Sequence, residues 1–294
     1  KKASAIIKGI EFLEKTAGRI RLDRAMDASG QVTGFLSTLK GVKKIMEAGS
    51  LRRRSETIGD VDILVGVGKR DKDPGRITKA FVGAPFVRDV IASGDTKGSA
   101  IVDSYGRGVQ VDVRVVPLDS FGAAAQYFTG SQQHNVRLRE IAVKAGLKLN
   151  EYGLFKGNKR VAGSDEQSIY EALGLDYIEP VLREDRGEVE AARDHRLPKL
   201  VGYEDMKGDM HMHSVYSDGQ SDIAELATVA RDLGYEYICI TDHSKSSAIA
   251  NGLSEDRVRR QIEEIRNLDA ELDGIIIMAG SEVDILADGS LDFG

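Results

Sequence analysis

Asp60 and Asp62 stand two residues apart in the run Gly59-Asp60-Val61-Asp62-Ile63-Leu64-Val65. In an extended chain alternate side chains point the same way, so the two carboxylates share one face while Val61, Ile63 and Val65 share the other. The run Val109-Gln110-Val111-Asp112-Val113-Arg114-Val115 repeats the device, with valines at the odd positions and Asp112 on the opposite, polar face. If the two strands are neighbours, three carboxylates meet. Like charges held together repel unless cations lie between them, and oxygen-only ligands favour Mg²⁺ or Mn²⁺. Such a site suits phosphoryl transfer, one ion activating an attacking hydroxyl and the other bridging a triphosphate as pyrophosphate leaves. Gly49-Ser50, with Arg52 and Arg53 just after, offers backbone and hydroxyl donors and positive charge for the phosphates. An Asp-x-Asp pair alone is common in solvated strands and turns; the upstream Gly-Ser and the later Asp112 set this one apart.

A second constellation lies in the final third. Asp209-Met210-His211-Met212-His213 places Asp209, His211 and His213 on one strand face and both methionines on the other. Ser217-Asp218-Gly219 follows that strand, Thr241-Asp242-His243 ends the next, and Gly280-Ser281-Glu282 ends a third. A lone His-x-His is usually a structural accident. Imidazoles and carboxylates at the C-terminal ends of successive parallel strands are where barrel enzymes place metal chemistry. Cys239, mid-strand among apolar neighbours, reads as core, and His195 as a surface residue.

The elements that must position these groups follow from periodicity. Ile6, Ile7, Ile10, Leu13 and Glu14 predict a helix over 3–18, and a second is predicted over about 30–40, ending at Gly41. From 42 onward β-branched runs at 60–65 and 109–116 predict sheet. Helices return at 137–145 and 165–173. The charged stretch 179–199, with prolines near both ends, reads as an exposed connector. After Lys207 the order is strand 208–213, helix 222–233, strand 237–241, helix 255–272 and strand 275–279, an alternation that predicts parallel strands with right-handed crossovers.

A chain of 294 residues calls for two or more cores. Its 41% hydrophobic and 30% charged residues describe an ordinary globular protein. One cysteine excludes an intramolecular disulfide framework and suits a reducing, cytoplasmic interior. No apolar run reaches membrane-spanning length and the N-terminus does not resemble a signal peptide. Both ends, Lys1 and Asp292-Phe293-Gly294, read as cuts. Residues 1–150 hold 26 Lys and Arg against 16 Asp and Glu, a net of +10, whereas 151–294 hold 15 against 31, a net of −16. A basic half suits backbone phosphates and an acidic half suits cations, although domains also differ in surface charge without such partners.

Gly49-Ser50, Gly59-Asp60-Val61-Asp62 and the later Asp112 resemble the nucleotidyltransferase palm of family X DNA polymerases, the group that includes vertebrate polymerase beta. Tyr127-Phe128-Thr129-Gly130-Ser131, continuing to His134-Asn135, and Leu149-Asn150-Glu151-Tyr152 resemble that family's nucleotide-binding subdomain. The resemblance implies that Asp60 and Asp62 bind two Mg²⁺ or Mn²⁺ ions, while Asp112 binds the catalytic one and activates a primer 3′-hydroxyl. It implies that Arg19, Ser50, Arg53 and Gly59 hold the triphosphate, that Gly49 and Gly130 belong to the nucleotide site and that Tyr127 and Phe128 lie beside the sugar. Asn135 would contact the incoming base and Arg139 the template strand. Against this stand plainer readings, of Tyr127 and Phe128 as a core pair and of Arg137 and Arg139 as a solvated helix face. The chain departs from vertebrate members at Gln110, where they often carry Arg, and at Gln132, where they carry Asp.

His211, His213, Asp218, His243 and Glu282 resemble the first ligands of the polymerase and histidinol phosphatase (PHP) domain, a phosphoesterase barrel with a Mn²⁺ or Zn²⁺ centre that follows the polymerase core in many bacterial and archaeal members. The implied fold is a mixed-sheet palm, a helical and mixed nucleotide-binding subdomain and the first βαβαβ part of a TIM-like barrel. The implied segments are 1–19 (end of a helical DNA-binding subdomain), 20–117 (palm), 118–185 (nucleotide-binding subdomain), 186–206 (linker) and 207–294 (PHP). The family's helix-hairpin-helix contacts and its later PHP ligands would lie outside the chain, which would weaken DNA binding and leave the second metal set incomplete. The expected function is gap-filling repair synthesis by a monomer on primed or gapped DNA with deoxynucleoside triphosphates, with an attached 3′-5′ exonuclease. The alternatives are an RNA or small-molecule nucleotidyltransferase on the same palm, which the Tyr127–Asn135 motif disfavours, and a non-catalytic DNA-binding scaffold, which the intact acid trio disfavours.

Overall fold

The computed structural model describes residues 18–69, 71 and 73–293. The helix expected over 3–18, and with it most of the 1–19 segment, falls outside them. The chain divides into two compact units, Lys1–Pro198 and Lys199–Gly294.

The first unit is built on a five-stranded sheet in the order β2 (Val42–Glu47), β4 (Val61–Val67), β7 (Arg107–Pro117), β6 (Lys97–Ser104) and β5 (Val87–Ser93). β4 and β7 run parallel; the other neighbours are antiparallel. β4 is an interior strand in which nearly every position is apolar: Val61, Ile63, Leu64, Val65 and Val67 are all buried. Each fully buried side chain of this kind contributes about 1.5–3 kcal/mol. β7 alternates as expected, with Val109, Val111, Val113 and Val115 joining the core.

Helix α1 (Leu22–Ser37) covers that face through Ala25, Ala28, Val32 and Leu36. It starts about eight residues before the predicted 30, because its entry at Arg21 has no side-chain cap and so left no mark in the sequence. α2 (Gly49–Arg52) is a single turn, and α3 (Gly75–Val82) adds Ile77 and Phe81 to the same core. Two short strands, β1 (Ile20–Arg21) and β3 (Thr57–Ile58), pair beside it. On the other face, α4 (Phe121–Thr129) lays Phe121, Ala124 and Ala125 over Leu64 and Ala48. Leu64 shares its face with Asp62, so the carboxylates lie on the α4 side of the sheet.

α4 leads into a second core. α5 (Gln132–Lys144), an antiparallel sheet of β8 (Lys148–Asn150), β9 (Gly153–Lys156) and β10 (Lys159–Ala162), and α6 (Glu166–Ala172) pack around Leu138, Leu154, Ile169 and Tyr170. Ser131 caps α5 by accepting from the His134 amide at 3.2 Å, and Asp165 caps α6 by accepting from that of Ser168 at 2.7 Å. Gly122 of α4 sits so close to the Asp165 backbone that no Cβ would fit.

The stretch 179–199 is not the exposed connector its charge suggested. Arg183 is fully buried, and α7 (Glu188–Arg193) inserts Val189 and Ala192 into the second core. The charges are tolerable because each has a partner far away in sequence: Arg183 holds Glu166 at 2.7 Å, and Glu188 holds His134 Nδ1 at 2.7 Å. His195, by contrast, is exposed as expected.

The second unit carries β11 (Gly208–Met212), α8 (Ile223–Asp232), β12 (Tyr237–Ile240), α9 (Glu255–Glu271) and β13 (Ile276–Ala279), all within two residues of expectation. The strands form a parallel sheet in the order β11-β12-β13. Ile223 and Ala227 of α8 and Ile265 of α9 close over Ile238, Ile240 and Ile277. Cys239 is buried. Among the described residues, no helix is long and apolar enough to cross a membrane.

Glu188 generates a pH prediction. Burial alone would raise its carboxyl, but hydrogen bonds from His134 and from the backbone amides of Asp185 and Arg186 outweigh that and bring it down to about 2. A carboxyl depressed by folding stabilises the folded chain above its unfolded pKa, and this is lost as pH falls through the folded value. Urea denaturation of Glu188→Gln should therefore show a loss of roughly 2–3 kcal/mol at pH 7, a gap from the parent that narrows as pH drops from about 5 towards about 2. A gap constant across that window would remove the charge from the explanation.

Candidate functional site

The register of β4 and β7 sets Asp62 directly beside Asp112. Paired residues on neighbouring strands point to the same face. Burial first, then the Asp60 and Asp112 carboxylates, push Asp62 up to about 7, so both neighbouring acids act on it. Asp112 goes the other way. Burial would raise it, but hydrogen bonds from Lys97, Ser99 and Gln110 hold it below the ordinary carboxylate range.

Gly49 permits the close approach of α2 to this cluster. Its φ is +59°, and a Cβ there would lie 2.6 Å from Asp62 Oδ2. The Ala48 amide, just before it, donates to the Asp62 carbonyl at 2.8 Å.

A cleft of about 500 Å³ opens over Asp60 and Asp62; Asp112 is not on its wall. Of the residues expected from sequence, it is lined by Gly49, Ser50, Arg53, Asp60, Asp62, Tyr127, Phe128, Gly130, Asn135 and Arg139. Gln132 and Ser131 join them. Arg19 and Gly59 are not on that wall; Arg19 stands beside Gly59 and donates to Thr57 Oγ1 at 2.7 Å. Tyr127 and Phe128 are half-buried, edge to face at 5.1 Å between ring centroids, and line the cleft, while Phe128 also packs against the core of Leu64, Phe121 and Ala125. The Asn135 amide accepts from Gln126 at 2.7 Å and donates to the Tyr127 carbonyl at 2.7 Å, which fixes its orientation. His134, one residue earlier, points into the second core.

The arginines after Gly49-Ser50 do something the sequence did not reveal. Arg52 turns away from the cleft and grips Glu166 with two nitrogens, at 3.0 and 2.5 Å. Arg53 lines the cleft while its Nε holds Glu184 at 2.6 Å and a terminal nitrogen donates to the Thr129 carbonyl at 2.6 Å. Arg137, read beside Arg139 as a solvated face, pairs with Glu140, Asp185 and Glu190. Arg114 lies over the Phe128 ring at 4.3 Å. The relation of Lys97 and Ser99 to Asp112 exists only once β6 and β7 are paired, so it leaves no mark in the sequence.

In the second unit, His211, His213 and Glu282 form one group, and His213, Asp218 and His243 another, each with ligand atoms within 4.8 Å of one another. His213 belongs to both: Nε2 lies 3.0 Å from Glu282 and Nδ1 lies 2.9 Å from Asp218. His211 Nε2 and His213 Nε2 stand 3.1 Å apart, facing the same carboxylate, as ligands converging on one point do. Hydrogen bonding from His211 lowers the Glu282 pKa, and from His213 that of Asp218. A bridge between His243 and Glu282 ties the ends of the second and third strands. The donors are nitrogen and oxygen, a set that suits borderline divalent cations. The acid trio of the first unit is not drawn to that separation.

Asp209 is not part of either group; its carboxylate accepts from the His211 amide at 2.9 Å. Asp242 is buried and accepts from the amides of Ser214 and Ser217 at 2.8 and 3.2 Å and from Ser214 Oγ at 2.6 Å. It fixes the loop that carries Asp218.

The family model described as DNA polymerase beta thumb matches residues 124–184, and that described as PHP domain matches residues 209–291. The DNA polymerase/3'-5' exonuclease PolX of Bacillus subtilis is 35% identical over 295 residues, covering 100% of this chain and 50% of that protein. The chain thus spans about half the length of that relative. The Repair DNA polymerase X of an African swine fever virus isolate is 28% identical over 178 residues, covering 58% of this chain and 95% of that protein. The crystal structure of a ternary P/T complex of Leishmania infantum polymerase beta overlays with a TM-score of 0.52 at 24% identity, covering 60% of this chain and 80% of that one. This likeness supports the mixed α/β fold.

The shared position of His213 makes a prediction about metal content. After loading with Mn²⁺ or Zn²⁺ and desalting, His213→Ala should lose more bound metal, by elemental analysis, than either His211→Ala or His243→Ala. Equal losses from all three would mean that the two groups are not separate sites bridged by this residue.

Proposed function

Since this chain belongs to the family X DNA polymerases that carry a PHP domain, we propose that it adds deoxynucleotides to a primer 3′-hydroxyl, filling gaps in repair, and that its second unit is part of a 3′-5′ exonuclease. The observation that carries the reading is the side-by-side register of Asp62 and Asp112, with Asp60, under a cleft whose far wall is the Tyr127–Asn135 motif.

On this reading Asp60, Asp62 and Asp112 would hold Mg²⁺ or Mn²⁺. Bound there, the ions would acidify the primer hydroxyl and offset charge on the triphosphate and the leaving pyrophosphate. Ser50 and the first turn of α2 would receive the phosphates, as backbone amides and hydroxyls at a helix start do. Arg53, steadied by Glu184 and the Thr129 carbonyl, would set the distance between the phosphate side of the cleft and the sugar side. Arg19 and Gly59, outside the cleft wall, would contribute at its rim. Tyr127 and Phe128 would flank the deoxyribose, with Gly130 leaving room beside them. Asn135, its amide oriented by Gln126 and Tyr127, would face the base, and Arg139 would reach the template. The protein would act as a monomer on primed or gapped DNA in the cytoplasm.

His211, His213, Asp218, His243 and Glu282 would hold Mn²⁺ or Zn²⁺ for phosphodiester hydrolysis. The nitrogen-rich donor set favours those ions over Mg²⁺. The segments 20–117, 118–185 and 207–294 would correspond to palm, nucleotide-binding and PHP parts, with α7 extending the second beyond the boundary drawn at 185.

Primer extension on one-nucleotide-gapped DNA tests the reading. Asp112→Asn should lower the rate by roughly 10²- to 10³-fold while leaving gapped-DNA affinity within a few-fold. RNA or small-molecule acceptors should be extended poorly by the parent chain. Unchanged extension by Asp112→Asn would sink the assignment.

A further inference from the structure

Asp112 holds its charge almost out of water, 4% exposed, and both of its oxygens are engaged. Oδ1 accepts from Ser99 Oγ at 2.7 Å and from Gln110 Nε2 at 3.3 Å. Oδ2 holds the Lys97 ammonium at 2.6 Å. The Gln110 position, where vertebrate members often carry Arg, supplies no cation here. Arg114, two residues on along the same strand, is turned onto the Phe128 ring. The cation comes from across the ladder instead. β6 pairs Ser99 with Asp112 and Lys97 with Arg114, a diagonal relation that brings a long side chain onto the facing carboxylate.

A carboxylate oxygen bound to an ammonium cannot also coordinate a divalent ion at about 2.1 Å without setting two cations against each other. Asp60, Asp62 and Asp112 are not among the groups whose ligand atoms all lie within 4.8 Å of one another. Lys97 is free to leave. Its side chain is 41% exposed and its flexible stem carries the ammonium without anchoring the core.

We infer that Lys97 is a resident counter-ion that competes with divalent cations for Asp112, so that metal binding at the acid trio is an exchange of one cation for another. The inference rests on the reading of the trio as the polymerase metal site. It gives Lys97 a positioning role: it holds Asp112 in place between metal-bound states.

The test counts bound ions rather than turnover. Mn²⁺ is titrated into the full chain carrying His211→Ala, His213→Ala and His243→Ala, with free ion read by its paramagnetic resonance, so that the histidine groups do not contribute. Lys97→Met and Lys97→Gln should each bind Mn²⁺ roughly three- to tenfold more tightly than this parent, and Lys97→Arg within about twofold of it. Asp62→Asn should abolish the binding. Affinity unchanged or weakened in both neutral variants, with binding still lost in Asp62→Asn, would overturn the role of Lys97 alone. Binding retained in Asp62→Asn would overturn the metal reading of the trio, and this inference with it.

Discussion

Two acid side chains on adjacent parallel strands, Asp62 and Asp112, are held side by side by backbone pairing, and their mutual repulsion is the constraint on which the first unit is organised. The apolar faces of β4 and β7 fix that register, because a one-residue slip would carry Val61, Ile63 and Val65 out of the core. Core packing therefore supplies the energy that keeps the carboxylates together. Burial first, and then the neighbouring carboxylates, lift Asp62 to about 7, while Asp112 is surrounded by donors from β6 and β7. Gly49 lets a helix start come close to Asp62 where any side chain would collide with it.

The cleft needs a second wall, and charge fastens it. Arg52 reaches from α2 to Glu166 on α6, Arg183 reaches the same carboxylate, and Arg53 reaches Glu184. Apolar contacts are indifferent to small shifts of one core against another, whereas a two-pronged guanidinium–carboxylate pair specifies distance and orientation. The cost of burying these charges is offset because each is partnered, and Glu166 accepts from two arginines at once. The two arginines after Gly49-Ser50 thus set the spacing between the acid trio and Tyr127, rather than serving only as positive charge in the cleft.

Alternation made the strands and their acids legible: Asp60, Asp62 and Asp112 needed only a period of two and the assumption of neighbouring strands. The βαβαβ order of the second unit was legible for the same reason, since its apolar runs are bounded by clear turns and Asp222 caps α8. The first two turns of α1 were not, because Arg21 caps nothing and the buried stripe uses small residues, Ala25 and Ala28. The stretch 179–199 misled because a charge looks solvated until its partner is known. Arg183 with Glu166, and Glu188 with His134, are pairs 17 and 54 positions apart. Lys97 belongs to the same class: nothing in its own neighbourhood tells that a β-ladder will set it against Asp112.

The two clusters solve one problem with different chemistry. In the first unit three carboxylates lie near one another; burial first and then its neighbours lift Asp62 to about 7, so a proton relieves it, and the Lys97 ammonium meets Asp112. In the second unit imidazoles are interleaved with carboxylates, so that His213 stands between Glu282 and Asp218 and each acid has a hydrogen-bonding partner before any ion arrives. In both histidine groups the ligand atoms lie within 4.8 Å of one another. The loop carrying Asp218 is fixed by Asp242, a buried acid whose negative charge is met by backbone amides and serine hydroxyls. On the proposed reading, the histidine groups and the acid trio should differ in how metal binding depends on competing cations, because only the trio must release an ammonium to admit an ion.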